Sequence, residues 1–141
     1  MPSSERSPQS AHPPRDLYSA EARSLHGTGR VDVSGRAGLP VGAPRELGGT
    51  GQGYDPEQLY AAALATCLHQ AVVIAATETG VDPADSEVTA RVHLGDGGAQ
   101  RYTFAATAEV SLPSAGDRRE RVIEHALRIC PLAEHLDPPP A

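Results

Sequence analysis

Lysine is absent from this chain of 141 residues, and all twelve of its cationic side chains are arginine. Without lysine the chain cannot contain the GxxxxGK(S/T) loop that holds nucleotide phosphates, and it cannot form a lysine Schiff base. The glycine-rich stretch at 48–53, GGTGQG, therefore indicates a flexible approach to a helix. The chain also lacks a basic stripe, and its formal charge of −6 argues against binding to the phosphate backbone of nucleic acid.

Long hydrophobic runs are missing as well. The first residues, MPSSERSPQSAHPPRD, contain no apolar segment of the kind found in a secretory signal. No stretch reaches the roughly 18 unbroken apolar residues that a membrane span needs. We therefore expect a cytoplasmic protein with no membrane partner. In the cytoplasm thiols are kept reduced, so that a cysteine pair is more plausibly catalytic or transient than structural.

The length predicts one domain, flanked by two tails. Residues 1–16 are rich in Ser, Pro and Arg, and residues 137–141 read DPPPA, so that both are predicted to be disordered. The domain is predicted at residues 17–136. Its start, residues 17–42, reads as short strands broken by glycines.

Two helices and a hairpin follow in the predicted order. Asp55, Pro56 and Gln58 form an N-terminal capping pattern, and Gly80 is a C-terminal stop. This helix is apolar nearly all round, which indicates that a partner subunit covers one face. Residues 88–94 and 102–110 alternate in polarity around a glycine turn, as hairpin strands do. A second helix is predicted at roughly 115–130. The fold class is therefore α+β, with helices packed on antiparallel sheet.

The chain has only two cysteines, and both lie in predicted helical segments. Cys67 lies in the middle of the first helix, and Cys130 stands at the end of the second. Pro131 disfavours a helical conformation at Cys130. Two thiols on two buried segments make a redox pair the first hypothesis, although a buried cysteine is more often an inert small hydrophobe.

The stretch around Cys67 resembles a family signature. Residues 55–67, DPEQLYAAALATC, are similar to the NPEQLFAAGYAACF motif of the organic hydroperoxide resistance and osmotically inducible (Ohr/OsmC) proteins. The resemblance extends from about residue 17 to residue 136, with PRELGG at 44–49, VTARV at 88–92 and ICP at 129–131. PRELGG and VTARV make the match closer to the organic hydroperoxide resistance branch.

The resemblance implies an intertwined α+β homodimer with antiparallel sheets, two main helices and active sites at the subunit interface. It also implies a thiol peroxidase without cofactor or metal. In this family the cysteine matching Cys67 attacks an organic hydroperoxide and becomes a sulfenic acid. The cysteine matching Cys130 then condenses with it to a disulfide. A dithiol such as protein-bound lipoamide restores the reduced form.

The family also uses an arginine, anchored by the glutamate of the PEQL motif, to stabilise the reactive thiolate. Glu57 matches that glutamate. Arg30 is the arginine nearest to the expected glycine turn, with Arg23 and Arg36 as alternatives. A helix places Glu57 about 15 Å along the axis from Cys67, so we expect Glu57 to serve a site shared between subunits.

Two other functions stay open from the sequence. The chain could be a non-catalytic relative whose interface pocket binds a small apolar molecule, or a redox sensor that forms the disulfide without turning over peroxide. Leu64, Leu68 and Val72 are expected to line the substrate pocket. A metal site at Cys67 and His69 is disfavoured, because the two positions lie about 200° apart on a helix.

Overall fold

The structure, a computed structural model, describes residues 15–137. The tails predicted at residues 1–16 and 137–141 lie almost wholly outside these residues. The chain divides into two compact units, Met1–Pro40 and Val41–Ala141. The single domain that was expected at residues 17–136 stays a prediction, and each unit is described by itself below.

The N-terminal unit is a three-stranded antiparallel meander. Its strands are β1 (Ala22–Ser24), β2 (Arg30–Val33) and β3 (Arg36–Pro40), in the order β1-β2-β3. The register between β2 and β3 shifts between Val31 and Val33, which is a local irregularity of the ladder. Gly35 forms the tight connection between these strands with a φ of 70°, a conformation that glycine adopts without steric cost. The strands predicted for this segment are confirmed.

The C-terminal unit is built on α1 (Pro56–Thr79), and both ends of this helix form as predicted. The Asp55 side chain accepts a hydrogen bond of 2.7 Å from the Gln58 amide, and the Gln58 side chain accepts one of 3.0 Å from the Asp55 amide. This capping box satisfies two donors that the first turn would otherwise leave without partners. Gly80 ends the helix in the left-handed conformation, with a φ of 80°.

A regular hairpin follows α1. Strands β4 (Glu87–Asp96) and β5 (Tyr102–Ser111) pair antiparallel from Glu87 opposite Ser111 to Asp96 opposite Tyr102. In β5 the alternating positions Ala106, Ala108 and Val110 are buried. The alternation predicted from the sequence is confirmed for that half of the strand. In the first half of β5 the corresponding positions are not buried: Tyr102 and Phe104 are each about half exposed.

The second helix, α2 (Arg119–Ile129), is shorter than predicted at its start. Residues Pro113–Arg118 form a 3-10 segment that is interrupted at Gly116, whose φ of 56° and ψ of −128° are not helical. At the other end the prediction is confirmed: Cys130 is the C-cap, with extended φ and ψ of −77° and 114°. The proline at position 131 disfavours continuation of the helix through Cys130.

The core of the C-terminal unit lies between α1, the hairpin and α2. The buried side chains of α1 pack against those of β5 and α2, together with Cys130. These core members include Leu68, Val72, Ala108, Val110, Val122 and Ala126. The arrangement of helices on antiparallel sheet confirms the predicted α+β class.

By length and composition α1 could also cross a membrane, because an 18-residue window of it has a mean hydropathy of 1.7. Core helices of water-soluble proteins meet the same criterion. Here α1 packs against both β4 and α2 within its own unit, so we treat it as a core helix. Its large exposed apolar side chains, Val73 and Ile74, mark a face that this unit leaves uncovered.

Candidate active site

The two cysteines lie together in the C-terminal unit. Cys67 stands in the middle of α1, and Cys130 stands just after α2. Their Sγ atoms are 3.2 Å apart, and both thiols are free. Packing of α1 against α2 therefore brings together two reactive groups that are distant in the chain, as the redox-pair hypothesis requires.

Cys130 is the more buried of the two, with 4% of its surface exposed. Its thiol donates a hydrogen bond to the Sγ atom of Cys67. Burial and this hydrogen bond raise the pKa of Cys130 to about 11, although the backbone amides of Leu132 and Ala133 act in the opposite direction. Both of the main causes favour the neutral thiol. At neutral pH Cys130 is therefore protonated and acts as a hydrogen-bond donor.

Cys67 is half-buried and lies on a face of α1 with Tyr60 and Ile74, which are seven residues before and after it. Residues seven apart lie nearly above one another on an α-helix. Tyr60 packs edge to face against Phe104 of β5, with ring centroids 5.2 Å apart. The sequence did not indicate that these two rings pack together. The seven-residue spacing from Tyr60 to Cys67 can be read from the sequence, but the contact with Phe104 depends on tertiary packing.

The expectation that Leu64, Leu68 and Val72 line a substrate pocket is wrong. These side chains are 0%, 1% and 0% exposed, respectively. They face the interior of the C-terminal unit, because α1 turns this side toward the hairpin and α2. The helix is apolar nearly all round, so composition did not distinguish the core face from the face that carries Cys67.

Glu57 lies half-buried in the first turn of α1. Within residues 41–137 no Arg or His side chain forms an ion pair with it. Ten residues of helix separate Glu57 from Cys67, or about 15 Å. Glu57 thus does not touch the thiol of its own helix, and its role as an anchor for the active-site arginine stays a prediction.

Arg30 begins β2 in the N-terminal unit and forms an ion pair with Asp32, with 3.3 Å between Nε and Oδ1. Its side chain crosses β3 at Gly38, where an added Cβ would collide with it. The alternatives Arg23 and Arg36 lie on the neighbouring strands of the same sheet. The assignment of Arg30 to the thiolate stays a prediction.

Two histidines of this unit contact groups other than the cysteines. His69 Nε2 lies 2.9 Å from Ser86 Oγ, and the Ser86 hydroxyl donates to the carbonyl of Pro83. Because that hydroxyl has a single proton, His69 is the donor in its bond to Ser86. His125 Nε2 lies 2.7 Å from Glu78 Oε1 and so ties α2 to the end of α1. Across residues 15–137 no group of three or more His, Cys, Asp or Glu side chains could hold a metal ion.

Known proteins resemble this chain in sequence. The sequence model of the OsmC-like protein family matches residues 49–141. The organic hydroperoxide resistance protein of Xanthomonas axonopodis pv. citri (strain 306) is 33% identical over 130 residues, which cover 86% of this chain and 88% of that protein. The organic hydroperoxide resistance protein-like 2 of Staphylococcus epidermidis is 25% identical over 126 residues, which cover 80% of this chain and 89% of that protein.

Solved structures resemble the chain in fold. A crystal structure of an organic hydroperoxide resistance protein OsmC from Legionella pneumophila has a TM-score of 0.74 and 25% sequence identity, and the likeness covers 89% of this chain and 94% of that one. An organic hydroperoxide resistance protein from Elizabethkingia anophelis has a TM-score of 0.73 and 22% identity, with 89% and 93% covered. The shared fold confirms the architecture predicted from the sequence.

Proposed function

The chain belongs to the OsmC-like protein family, and on that premise we propose that it is a cysteine-dependent peroxidase that reduces organic hydroperoxides to alcohols. Relatives in the family are named organic hydroperoxide resistance proteins. The observation that carries the proposal is the distance of 3.2 Å between the free thiols of Cys67 and Cys130. One thiol can be oxidised there, and the second is in position to resolve the product.

In the first step the Cys67 thiolate attacks the terminal oxygen of the hydroperoxide. The O–O bond breaks, its electron pair leaves with the alkoxide, and the alkoxide takes up a proton to become the alcohol. Cys67 is then a sulfenic acid. The raised pKa of Cys130 supports this assignment, because it keeps Cys130 as a neutral thiol, which is a poor nucleophile. Cys67 is therefore the attacking group.

In the second step the Cys130 sulfur attacks the Cys67 sulfur. The S–O bond breaks, and the hydroxide leaves as water with the proton of the Cys130 thiol. Once Cys67 is oxidised it carries no negative charge, so its contribution to the raised pKa of Cys130 is removed. Burial remains as the main cause. A dithiol such as lipoamide then reduces the disulfide, and the cycle is set in the cytoplasm, where thiols are kept reduced.

We assign the substrate preference to the aromatic pair Tyr60 and Phe104, two helical turns from Cys67. Tyr60 shares the helix face of Cys67, and Phe104, which packs on it, is 53% exposed. These rings offer an apolar surface that suits alkyl or lipid hydroperoxides better than hydrogen peroxide. We therefore assign the lining of the substrate site to these two rings and not to Leu64, Leu68 and Val72.

We further propose that Arg30 stabilises the Cys67 thiolate and that Glu57 anchors Arg30. The active sites are then shared between the two subunits of a homodimer. Two observations support sharing: Glu57 has no ion-pair partner within residues 41–137, and α1 leaves Val73 and Ile74 exposed. Mixed dimers of Glu57→Ala and Cys67→Ser chains should recover activity that neither variant has alone. Failure to recover activity would contradict sharing.

Intact-mass analysis tests the proposed function. The reduced chain, treated with one equivalent of cumene hydroperoxide, should lose about two mass units as the disulfide forms. Dihydrolipoamide should then support repeated turnover. A mass loss without turnover would indicate a redox sensor, and no mass change would indicate a binding protein. The Cys67→Ser chain is the control and should keep its mass.

A further inference from the structure

A cavity of about 430 Å³ opens beside Cys130. Cys130 itself is one of its lining residues, whereas Cys67 is not. Leu127, Ala133 and Leu136 form a half-buried apolar part, and the exposed residues Arg128, Pro131 and Glu134 complete the lining. The peroxidase steps described above do not use this cavity.

We propose that this cavity admits the dithiol reductant, so that the Cys67–Cys130 disulfide is opened by attack on Cys130. The inference rests on the proposed function, because it concerns the disulfide which that function forms. The thiolate of the reductant bonds to Cys130 Sγ, the S–S bond breaks, and its electron pair leaves with Cys67. The second thiol of the reductant then attacks the mixed disulfide, closes the reductant into its own disulfide and releases Cys130.

Access supports attack at Cys130. Thiol–disulfide exchange requires the incoming sulfur, the attacked sulfur and the leaving sulfur to be close to a line. A nucleophile that attacks Cys130 must therefore approach from the side opposite Cys67. The cavity is lined by Cys130 and not by Cys67, so a reductant held in it meets Cys130 first. Its volume lies within the roughly 300–1,000 Å³ typical of small-molecule sites.

The leaving group gives a second, independent reason. Attack on Cys67 would expel Cys130 as a thiolate, and the pKa of that group is raised to about 11, chiefly by burial and then by the hydrogen bond to Cys67. A thiol of lower pKa leaves faster in the exchange reaction. Attack on Cys130 avoids this costly thiolate, because Cys130 stays bonded to sulfur while Cys67 departs. Cys67 is more exposed than Cys130, so accessibility alone would favour the opposite outcome.

The position of attack can be determined by trapping. The disulfide is prepared with diamide, which makes the experiment independent of any reaction with peroxide. Excess 2-mercaptoethanol is added, the reaction is quenched with acid at the shortest accessible times, and free thiols are alkylated. Peptide mass spectrometry should find 2-mercaptoethanol on Cys130 and the alkyl group on Cys67. An adduct mainly on Cys67, or no disulfide with diamide, would overturn the inference.

Blocking the cavity tests the path of entrance. Ala133→Leu fills its half-buried part, and Glu134→Trp places a large ring at its exposed side. Each should slow reduction of the disulfide by dihydrolipoamide about tenfold relative to oxidation by hydroperoxide. The matched controls are Ala99→Leu and Glu124→Trp at exposed positions outside the lining.

If Ala133→Leu does not fold, Glu134→Trp still tests the path, because Glu134 is exposed and its replacement leaves the core intact. Unchanged reduction in both variants would overturn the inference. A protein whose diamide disulfide is attacked at Cys130, but which does not react with hydroperoxide, would contradict the proposed function and leave this inference standing.

Discussion

The Sγ atom of Cys130 lies 3.2 Å from the Sγ atom of Cys67, across 63 residues of chain. A disulfide needs about 2.05 Å, so the sulfurs must approach each other by about 1.2 Å. Cys130 has extended backbone angles just after the end of α2. Its amide still donates to the Ala126 carbonyl at 2.9 Å, whereas the chain after Cys130 has left α2.

Replacing Cys130 by serine should uncouple oxidation from resolution. The sulfenic acid on Cys67 then has no thiol partner in its own chain, and a second hydroperoxide should carry it to the sulfinic acid. Intact mass should show a gain of about 32 mass units under excess cumene hydroperoxide. The wild-type chain is the control, and it should stop at the disulfide.

Replacing Cys67 by alanine should reduce peroxidase activity at least about a thousandfold, because Cys130 is protonated and cannot take over the attack on the hydroperoxide. Steady-state turnover with cumene hydroperoxide measures the loss. If Cys67→Ala keeps substantial activity while Cys130→Ser loses it, the roles of the two thiols are reversed.

The same Cys67→Ala variant should lower the pKa of Cys130. Burial, the hydrogen bond to Cys67 and the charge on Cys67 all raise this pKa to about 11. Alanine removes the second and third causes and leaves burial, so the pKa should fall but stay above its ordinary value of 9.0. Thiolate absorbance at 240 nm during a pH titration measures the change. An unchanged pKa would mean that burial alone accounts for the shift.

The reduced protein should lose stability between about pH 9 and pH 11. In this window the unfolded chain releases the Cys130 proton while the folded chain keeps it, because the folded pKa is raised from 9.0 to about 11. The unfolded state then binds fewer protons, and the free energy of unfolding falls as the pH rises. The contribution is fully present below pH 9 and is on the order of 2 kcal/mol.

Urea denaturation at several pH values measures this loss, and Cys130→Ala is the comparison. All other side chains are the same in the two proteins, so the difference between their pH profiles isolates Cys130. Parallel profiles from pH 8 to pH 11 would contradict the expected linkage.

The capping box of α1 should contribute to stability. Asp55→Ala removes the acceptor for the Gln58 amide and should lower the free energy of unfolding by about 1 kcal/mol. Asp55→Asn keeps a side-chain oxygen at the same position and should cost only a fraction of that amount. Urea denaturation of the two variants distinguishes a capping effect from a general loss of charge.

Several local features followed from the sequence because they depend on neighbouring residues. The start of α1 was predictable from Asp55, Pro56 and Gln58, since a capping box closes within three residues. The hairpin followed from its alternation around a glycine turn. The start of α2 was placed too early, because the helical pattern continues through Gly116 and only the backbone angles there show the interruption.

The candidate site was predictable only in part. Cys67 and Cys130 could be identified as a pair from their segments and from the family resemblance. The orientation of α1 could not be deduced, because Leu64, Leu68 and Val72 are as apolar as the residues of the opposite face. The aromatic pair Tyr60 and Phe104 joins a helix to a strand, and no local pattern encodes that contact.

The sequence by itself determined where α1 begins and ends, that a hairpin follows it, that lysine chemistry is excluded, and which two thiols are available. The tertiary structure decided which face of α1 is buried, how near the thiols lie, and that the pKa of Cys130 is raised. The physical reason is range: caps, turns and alternation act over a few residues, whereas burial and the approach of two sulfurs depend on the packing of segments that are distant in the chain.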